Sequence, residues 1–120
     1  MANEITQNIQ IKAVKGGAEV SINSRQKFTM TGDDMFQATQ VIGTSSELVN
    51  LGDITGAPRQ LVVKNLDSTN FIEIGGDSGL TVFSLKVRPN DCQVFEPTSG
   101  TVYAKANTAS CRIQVVAFEP

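Results

Sequence analysis

The side chains that could do chemistry in this chain are carboxylates and two cysteines, because the sequence contains no histidine. Histidine is the commonest general base near neutral pH and the commonest metal ligand. Without it, no nucleophile can be activated by a Ser-His or Cys-His pair. The sequence therefore indicates a protein that is not an enzyme and has no catalytic, cofactor-binding or metal-binding residues.

The two cysteines, Cys92 and Cys111, each lie inside a segment with the pattern of a strand. A structural zinc site needs four cysteine or histidine ligands at close spacings, and this chain offers two. We expect both thiols to be small buried side chains, which is the usual situation of a free cysteine. A disulfide between them stays open, since the two strand positions form one only if they face each other.

A glycine-rich segment and several aspartates fall between the strand patterns. The segment Gly75-Gly76-Asp77-Ser78-Gly79 lacks the lysine and the following helix of a phosphate loop, and Leu80 is expected to begin another strand, so a plain turn is favoured. Aspartates in turn segments either converge on a calcium ion or cap their own turns. Turn capping is favoured because no loop has the Asp-x-Asp-x-Asp spacing; the residues are Asp33, Asp34, Asp53, Asp67, Asp77 and Asp91.

Two further kinds of site are weakly supported. Glu73 and Glu96 make a glycosidase-like pair only if the fold brings them to one face. Few aromatic side chains are available to bind a sugar at the surface, because the chain has no tryptophan and one tyrosine, Tyr103. The six phenylalanines fall mainly in alternating runs and are expected in the core. Function is therefore expected to lie in surfaces and sheet edges.

Nine short runs that alternate apolar and polar residues, from Ile5 to Phe118, must position these side chains. Alternation with a period of two is typical of a half-buried strand. Turn signals recur every 8 to 12 residues or so, as in sandwiches and barrels. We expect an all-β fold over residues 1–120, a single β-sandwich of jelly-roll-like or immunoglobulin-like type with about eight to nine short antiparallel strands.

The first runs predict a hairpin over residues 5–22 around Gly16-Gly17, because glycine adopts a positive φ without steric cost. Residues 23–26 are interpreted as a polar break, followed by a short third run at Phe28 and Met30. At the other end of the chain, residues 101–106 and 111–118 are expected to close the fold as a last hairpin.

Two segments are candidates for contact with a neighbouring chain, since open sheet edges carry unpaired backbone groups. The N-terminal residues are polar enough to form an extended arm, expected over residues 1–12, that lies on a neighbour. The long connection at residues 43–58 is the second candidate.

Charge and hydropathy exclude several classes of partner. Ten basic and twelve acidic residues leave no electrostatic footprint for nucleic acid. No secretory signal is visible, and no apolar run approaches the length of a membrane span. We expect a protein that binds neither nucleic acid nor membrane and stays in the cytosol of the producing cell.

Four sequence segments in about the last two-thirds of the chain resemble segments of small virion proteins of tailed bacteriophages. They are Gln40 to Thr44, Leu61 to Gly75, Leu85 to Asp91 and Val102 to Ala109. The resemblance implies a virion structural protein assembled in the host bacterial cytoplasm. Its most direct form is a homo-oligomeric capsid decoration or cement protein that binds the major capsid protein, or other virion proteins, and stabilises the shell. A tail or head-to-tail connector component and a soluble module for a glycan or host surface are the alternatives.

Overall fold

The computed structural model describes residues 4–120, which form ten β-strands and no helix. In chain order the strands are β1 (Ile5–Lys15), β2 (Ala18–Phe28), β3 (Met35–Ile42), β4 (Glu47–Leu48), β5 (Gln60–Asn65), β6 (Ile72–Gly75), β7 (Ser84–Val87), β8 (Cys92–Phe95), β9 (Tyr103–Ala106) and β10 (Cys111–Phe118). Every strand pair is antiparallel. The predicted all-β class with antiparallel strands is confirmed, but the described strands number ten in three sheets instead of eight to nine in one sandwich. Over the same residues, no helix suited to crossing a membrane is present.

The chain divides into two compact units, one ending at Thr31 and one spanning Gly32–Pro120. The first unit contains β1 and β2, and we call these two strands with their turn the N-terminal hairpin. The prediction of a single domain with an arm over residues 1–12 stays a prediction, and residues 1–3 of that arm lie outside the described part of the chain.

The N-terminal hairpin is long and regular. Its strands pair over eleven positions, from Ile5 opposite Phe28 to Lys15 opposite Ala18. Gly16 and Gly17 have φ values of 60° and 83°, as a two-residue turn with positive φ at both central positions requires. The hairpin predicted around these glycines is confirmed.

The predicted end of this hairpin and the separate third run at Phe28 are wrong. The second strand continues through Asn23 and Arg25 to Phe28. Polar side chains cost free energy in a strand when a covering layer buries them without partners, but Asn23 and Arg25 are both exposed. Strand β2 therefore needs no break at its polar segment.

The second unit consists of two four-stranded sheets that share one core. Their strand orders are β3-β10-β5-β8 and β4-β9-β6-β7. Alternate residues of each central strand are buried, as the alternation predicts; Leu61, Val63, Ile113 and Val115 lie in the first sheet, and Ile72, Ile74, Ala104 and Ala106 in the second. The uninterrupted apolar run Leu61-Val62-Val63 predicts a strand covered on both faces. That prediction is wrong, because Val62 is only half-buried.

The predicted closing hairpin of the last two strands is also wrong. Strand β9 pairs with β4 and β6, whereas β10 pairs with β3 and β5. Ala104 and Ala106 of β9 and Ile113 of β10 are all fully buried in the shared core. The two strands therefore lie in opposite layers rather than side by side.

The first and last strands of the second unit are neighbours. Met35 at the start of β3 lies opposite Phe118 at the end of β10. Beyond this pair, the Gly32 N–H donates to the Pro120 carbonyl oxygen at 2.9 Å. The two ends of the unit therefore meet at one corner of the first sheet.

Candidate interaction surface

The two faces of the N-terminal hairpin differ in chemistry. Directly opposed residues of an antiparallel pair point to the same side, and Ile11 lies opposite Ile22 while Ala13 lies opposite Val20. With Ile9, these side chains form what we call the apolar face of the hairpin. The side chains of Lys12, Glu19, Arg25 and Lys27 occupy the opposite, polar face together with Val14.

The apolar face is open. Ile11 is 58% exposed, Val20 72% and Ile22 57%. The sheet of this unit has two strands and, over residues 4–31, no second layer of its own. A two-stranded hairpin is at best marginally stable in water. These side chains therefore form an apolar surface of the kind that marks an interaction site.

Polar contacts hold the hairpin together on its other side. The Lys12 ammonium lies 3.0 Å from a carboxylate oxygen of Glu19, with both side chains more than half exposed. At the base, the Glu4 carboxylate accepts a hydrogen bond from the Met30 N–H at 3.1 Å. Hydrogen bonds from the backbone N–H groups of Glu4 itself and of Met30 hold the pKa of Glu4 below its ordinary value. The residues just before β1 and just after β2 are thereby tied together.

A small apolar cleft lies in the second unit, where the edge strand β7 of one sheet meets the edge strand β8 of the other. It has a volume of about 240 Å³ and is lined by Phe83, Leu85, Phe95, Glu96, Pro97 and Thr98. The Phe83 and Phe95 rings meet edge to face with centroids 6.1 Å apart. Ligand pockets usually measure roughly 300–1,000 Å³, so this cleft is large enough for a single side chain and too small for a typical ligand.

The glycine-rich segment is a turn between antiparallel strands, as predicted. The Asp77 carboxylate accepts hydrogen bonds from the Thr81 N–H and hydroxyl, each at 2.6 Å, and from the Val82 N–H at 2.9 Å. These hydrogen bonds lower the pKa of Asp77, and the bond from the Thr81 side chain has the largest effect. They also hold residues 80–82 in the turn, so β7 begins at Ser84 and the prediction that Leu80 starts a strand is wrong.

Asp67 caps its own turn in the same way. Its carboxylate accepts from the Asn70 N–H at 2.6 Å and from the Thr69 N–H at 2.9 Å, which lowers its pKa. Turn capping, the favoured interpretation of the aspartates, is confirmed for Asp67 and Asp77. Within residues 4–120, no three His, Cys, Asp or Glu side chains group as a metal site would require.

The two cysteines are separate. Cys111 is buried and its thiol donates weakly toward the Asn70 and Ala109 carbonyl oxygens, at 3.7 and 3.6 Å. Cys92 is exposed, so the prediction that both thiols are buried is wrong for Cys92. Its side chain points outward because β8 turns the other alternate residues, Gln93 and Phe95, toward the core side. Both thiols are free, and no disulfide joins them.

The structure does not bring Glu73 and Glu96 together. Glu73 lies on the outer face of β6, opposite Lys86 on one side and Lys105 on the other. Glu96 lies at the rim of the cleft and pairs with Arg59 at 2.9 Å. Tyr103 is half-buried between Leu48 and Gly75. None of these arrangements forms a carboxylate pair or an aromatic platform for a sugar.

Sequence reasoning missed the apolar face, because Ile9 and Ile11 had the alternation of core residues. A signal was present in the second strand of the hairpin. Residues 18–28 contain two large aliphatic side chains, Val20 and Ile22, among seven polar or charged positions, with an alanine at one end and a phenylalanine at the other. A strand this polar supplies too little apolar surface to build a core layer of its own.

Comparison with known proteins gives little guidance. Neither a protein-family model nor a curated protein matches the chain. Among solved structures, the chain is similar to a crystal structure described as ethanolamine utilization protein Q from Salmonella typhimurium LT2. The TM-score is 0.47 and the sequence identity 13%, covering 95% of this chain and 97% of that one.

The expectation of a capsid decoration protein is corrected by this comparison. The neighbour is described as a protein of ethanolamine utilization and not of a virion. The virion structural role, with its tail, connector and host-surface alternatives, is not proposed for this chain. At 13% identity the likeness does not transfer the neighbour's function to this chain.

Proposed function

We propose that this protein is a non-catalytic module that self-associates through the apolar face of its N-terminal hairpin. The observation that carries the proposal is the exposure of Ile11, Val20 and Ile22 on one face of a two-stranded sheet. The second unit acts as the folded body, and the hairpin is the part that binds other copies.

The chemistry of the apolar face favours a second copy as the partner. Along the face, from Gln7 to Ala13 on β1 and from Val20 to Gln26 on β2, no side chain is charged, and Lys15 follows at its turn end. Two copies can therefore pack these faces without bringing like charges together. A partner recognised by its charge would find nothing to pair with on this surface.

The size of the face predicts weak, reversible association. An eleven-residue strand is roughly 36 Å long, and two strands are roughly 10 Å wide. Two such faces together bury roughly 700 Å², below the 1,200–2,000 Å² or so of a standard stable interface. Burying an aliphatic side chain completely contributes roughly 1.5–3 kcal/mol, and the four largest here are already partly covered. We expect dissociation constants in the micromolar range or weaker.

For the second unit we propose a jelly-roll sandwich. Eight strands fall into two four-stranded sheets, and successive strands from β5 to β10 change sheets at most connections. This count and order match a jelly roll better than the seven-stranded immunoglobulin sandwich. Because jelly rolls host unrelated functions, the proposal about function rests on the hairpin alone.

The test is the oligomeric state of the full chain over a range of concentrations. In sedimentation velocity, the wild-type protein is expected to shift from monomer toward larger species as concentration rises. The double variant Ile11→Ser/Ile22→Ser should stay monomeric, because serine removes the apolar contact. Val14→Ser is the matched control, since Val14 is 64% exposed but lies on the polar face; it should associate like the wild type.

Two results would overturn the proposal. One is a wild-type protein that remains monomeric at millimolar concentration. The other is association that survives in the double serine variant, which would place the contact elsewhere on the molecule.

A further inference from the structure

We propose that two copies meet with their β2 edges antiparallel about Ile22, so that Glu19 of each copy lies opposite Arg25 of the other. This inference rests on the proposed function and adds a second contact, at the strand edge, to the packing of the apolar faces. It follows from which backbone groups β2 leaves open and from the order of charges along that strand.

The outer edge of β2 is free to pair. In the two-stranded sheet of the hairpin, each strand has one neighbour and one open edge. Lys15 and Ala18 flank the two-residue turn and form its hydrogen-bonded pair. Non-hydrogen-bonded and hydrogen-bonded pairs then alternate along the two strands. The residues of β2 whose N–H and C=O groups point away from β1 are therefore Glu19, Ser21, Asn23, Arg25 and Lys27.

The charges along this edge are self-complementary. A twofold axis at Ile22 places Ser21 opposite Asn23 and Glu19 opposite Arg25, and it does so twice because the interface is symmetric. Opposite charges directly across an antiparallel pair are favourable, and like charges are not. Each dimer would thus gain two cross-strand ion pairs, both on the polar face, with each Glu19 shared between Arg25 of the other copy and Lys12 of its own.

The same pairing joins the apolar faces. In this register Ile22 lies opposite its own copy in a non-hydrogen-bonded pair, where side chains approach most closely. The apolar faces of both hairpins then lie on one side of a single four-stranded sheet. The joined face is twice the area of one hairpin, so two such sheets can cover each other, and we expect assemblies with an even number of copies.

The edge of β1 offers no such match. Between Ile5 and Lys15 this strand carries two basic residues, Lys12 and Lys15, and no acidic residue. Two β1 edges placed together would bring no opposite charges into register. The charge order therefore selects β2 over β1 as the pairing edge.

Charge reversal with rescue tests the register. Glu19→Arg and Arg25→Glu should each weaken self-association by roughly tenfold or more, because each turns two attractive pairs per dimer into two repulsive ones. The double variant Glu19→Arg/Arg25→Glu should return to within about threefold of the wild type. Lys27→Glu is the matched control on the same strand and face; in this register it lies opposite Gly17, and association should be unchanged.

A covalent trap provides a second readout. In a Cys92→Ser background, Ile22→Cys should form an intermolecular disulfide under mild oxidation, since the two side chains face each other across the axis. Val14→Cys in the same background should cross-link at least tenfold more slowly, because Val14 lies on the other strand and the other face.

The outcomes separate this inference from the proposed function. If the single reversals leave association unchanged while Ile11→Ser/Ile22→Ser abolishes it, the hairpin is the interface and the register is wrong. If Lys27→Glu weakens association and Arg25→Glu does not, the axis lies elsewhere on β2 and the inference is again overturned. A wild-type protein that never associates removes both.

Discussion

Ile11 and Ile22 in the N-terminal hairpin and Ile74 and Ile113 in the second unit occupy the same kind of position, an apolar residue in an alternating strand. The first two are more than half exposed, whereas the other two are completely buried. Alternation shows that a strand has two unlike faces. Whether the apolar face is covered depends on a second layer, which the second unit supplies to itself and the hairpin does not.

The difference between the two regions predicts where stability resides. In Gly32–Pro120 the core side chains of both sheets contact each other, and the free energy of unfolding comes from their burial. In the hairpin, the same residue types face outward and are available to a partner. The same substitution should therefore lower the free energy of unfolding when it is made in the second unit, and weaken association when it is made in the hairpin.

The largest expected contrast is between two isoleucine truncations. Ile113→Ala, at 0% exposure, should lower the free energy of unfolding by about 2–5 kcal/mol, since it removes transfer energy and leaves a cavity. Ile22→Ala should change it by less than about 1 kcal/mol when the protein is dilute and monomeric. Urea unfolding of both variants at low concentration is the measurement, and equal losses would show that the hairpin is covered in solution.

A smaller contrast is expected between two asparagines. Asn65 is completely buried, and its amide donates to the Asn70 and Val87 carbonyl oxygens at 2.8 and 3.2 Å while its side-chain oxygen accepts from the Asp67 N–H at 2.9 Å. Asn65→Ala leaves these groups without partners and should cost about 2–4 kcal/mol. Asn23→Ala, on the exposed β2 strand, should cost less than about 0.5 kcal/mol by the same unfolding assay. If Asn65→Ala left the free energy of unfolding unchanged, the hydrogen bonds of Asn65 would not hold the connection between β5 and β6.

The smallest expected effect is a loss of stability in acid. The pKa values of Asp67 and Asp77 are lowered in the folded chain by their hydrogen bonds, so their contribution is fully present above the unfolded value of about 4. It is lost as the pH falls through their folded values. The melting temperature of the wild type should fall between about pH 5 and pH 2. The double variant Asp67→Asn/Asp77→Asn should show a weaker dependence on pH.

The hairpin offers the comparison for this pH effect. The pKa of Glu4 is lowered by backbone hydrogen bonds at the base of the hairpin. A Glu4→Gln variant should therefore remove this titration and leave the titrations of Asp67 and Asp77 in the second unit unchanged. Carboxylate chemical shifts in NMR titrations would resolve the two. Identical titration curves for Asp67, Asp77 and an unfolded peptide would contradict the prediction.

How much of the fold the sequence predicts depends on what each signal measures. The bounds of β10, at Cys111 and Phe118, follow directly from its alternation and flanking turn residues. The start of β7 does not, because the Asp77 side chain captures the N–H groups of Thr81 and Val82, and this competition depends on a precise local geometry. Strand order escapes prediction as well, since β9 and β10 are adjacent in the chain yet belong to different sheets.

The candidate surface is harder to predict than the fold. Nothing in the pattern of Ile9 and Ile11 distinguishes them from core residues, because burial is a property of what packs against a strand. The charge order on β2 is visible in the sequence, but its meaning depends on knowing that the edge of β2 is open. The turn-capping roles of Asp67 and Asp77 need no long-range contact, and there local chemistry alone is sufficient.

The corner at which the ends of the second unit meet has a mechanical consequence. A force that pulls Gly32 and Pro120 apart acts first on the hydrogen bond between these two residues, and then on the Met35–Phe118 pair and each following pair of β3 and β10. The hydrogen bonds would break one after another, as in a zipper, instead of resisting together in shear. Tension applied through these two points would peel the first strand away at low force, while the remaining six strands of the unit would bear little of the initial load.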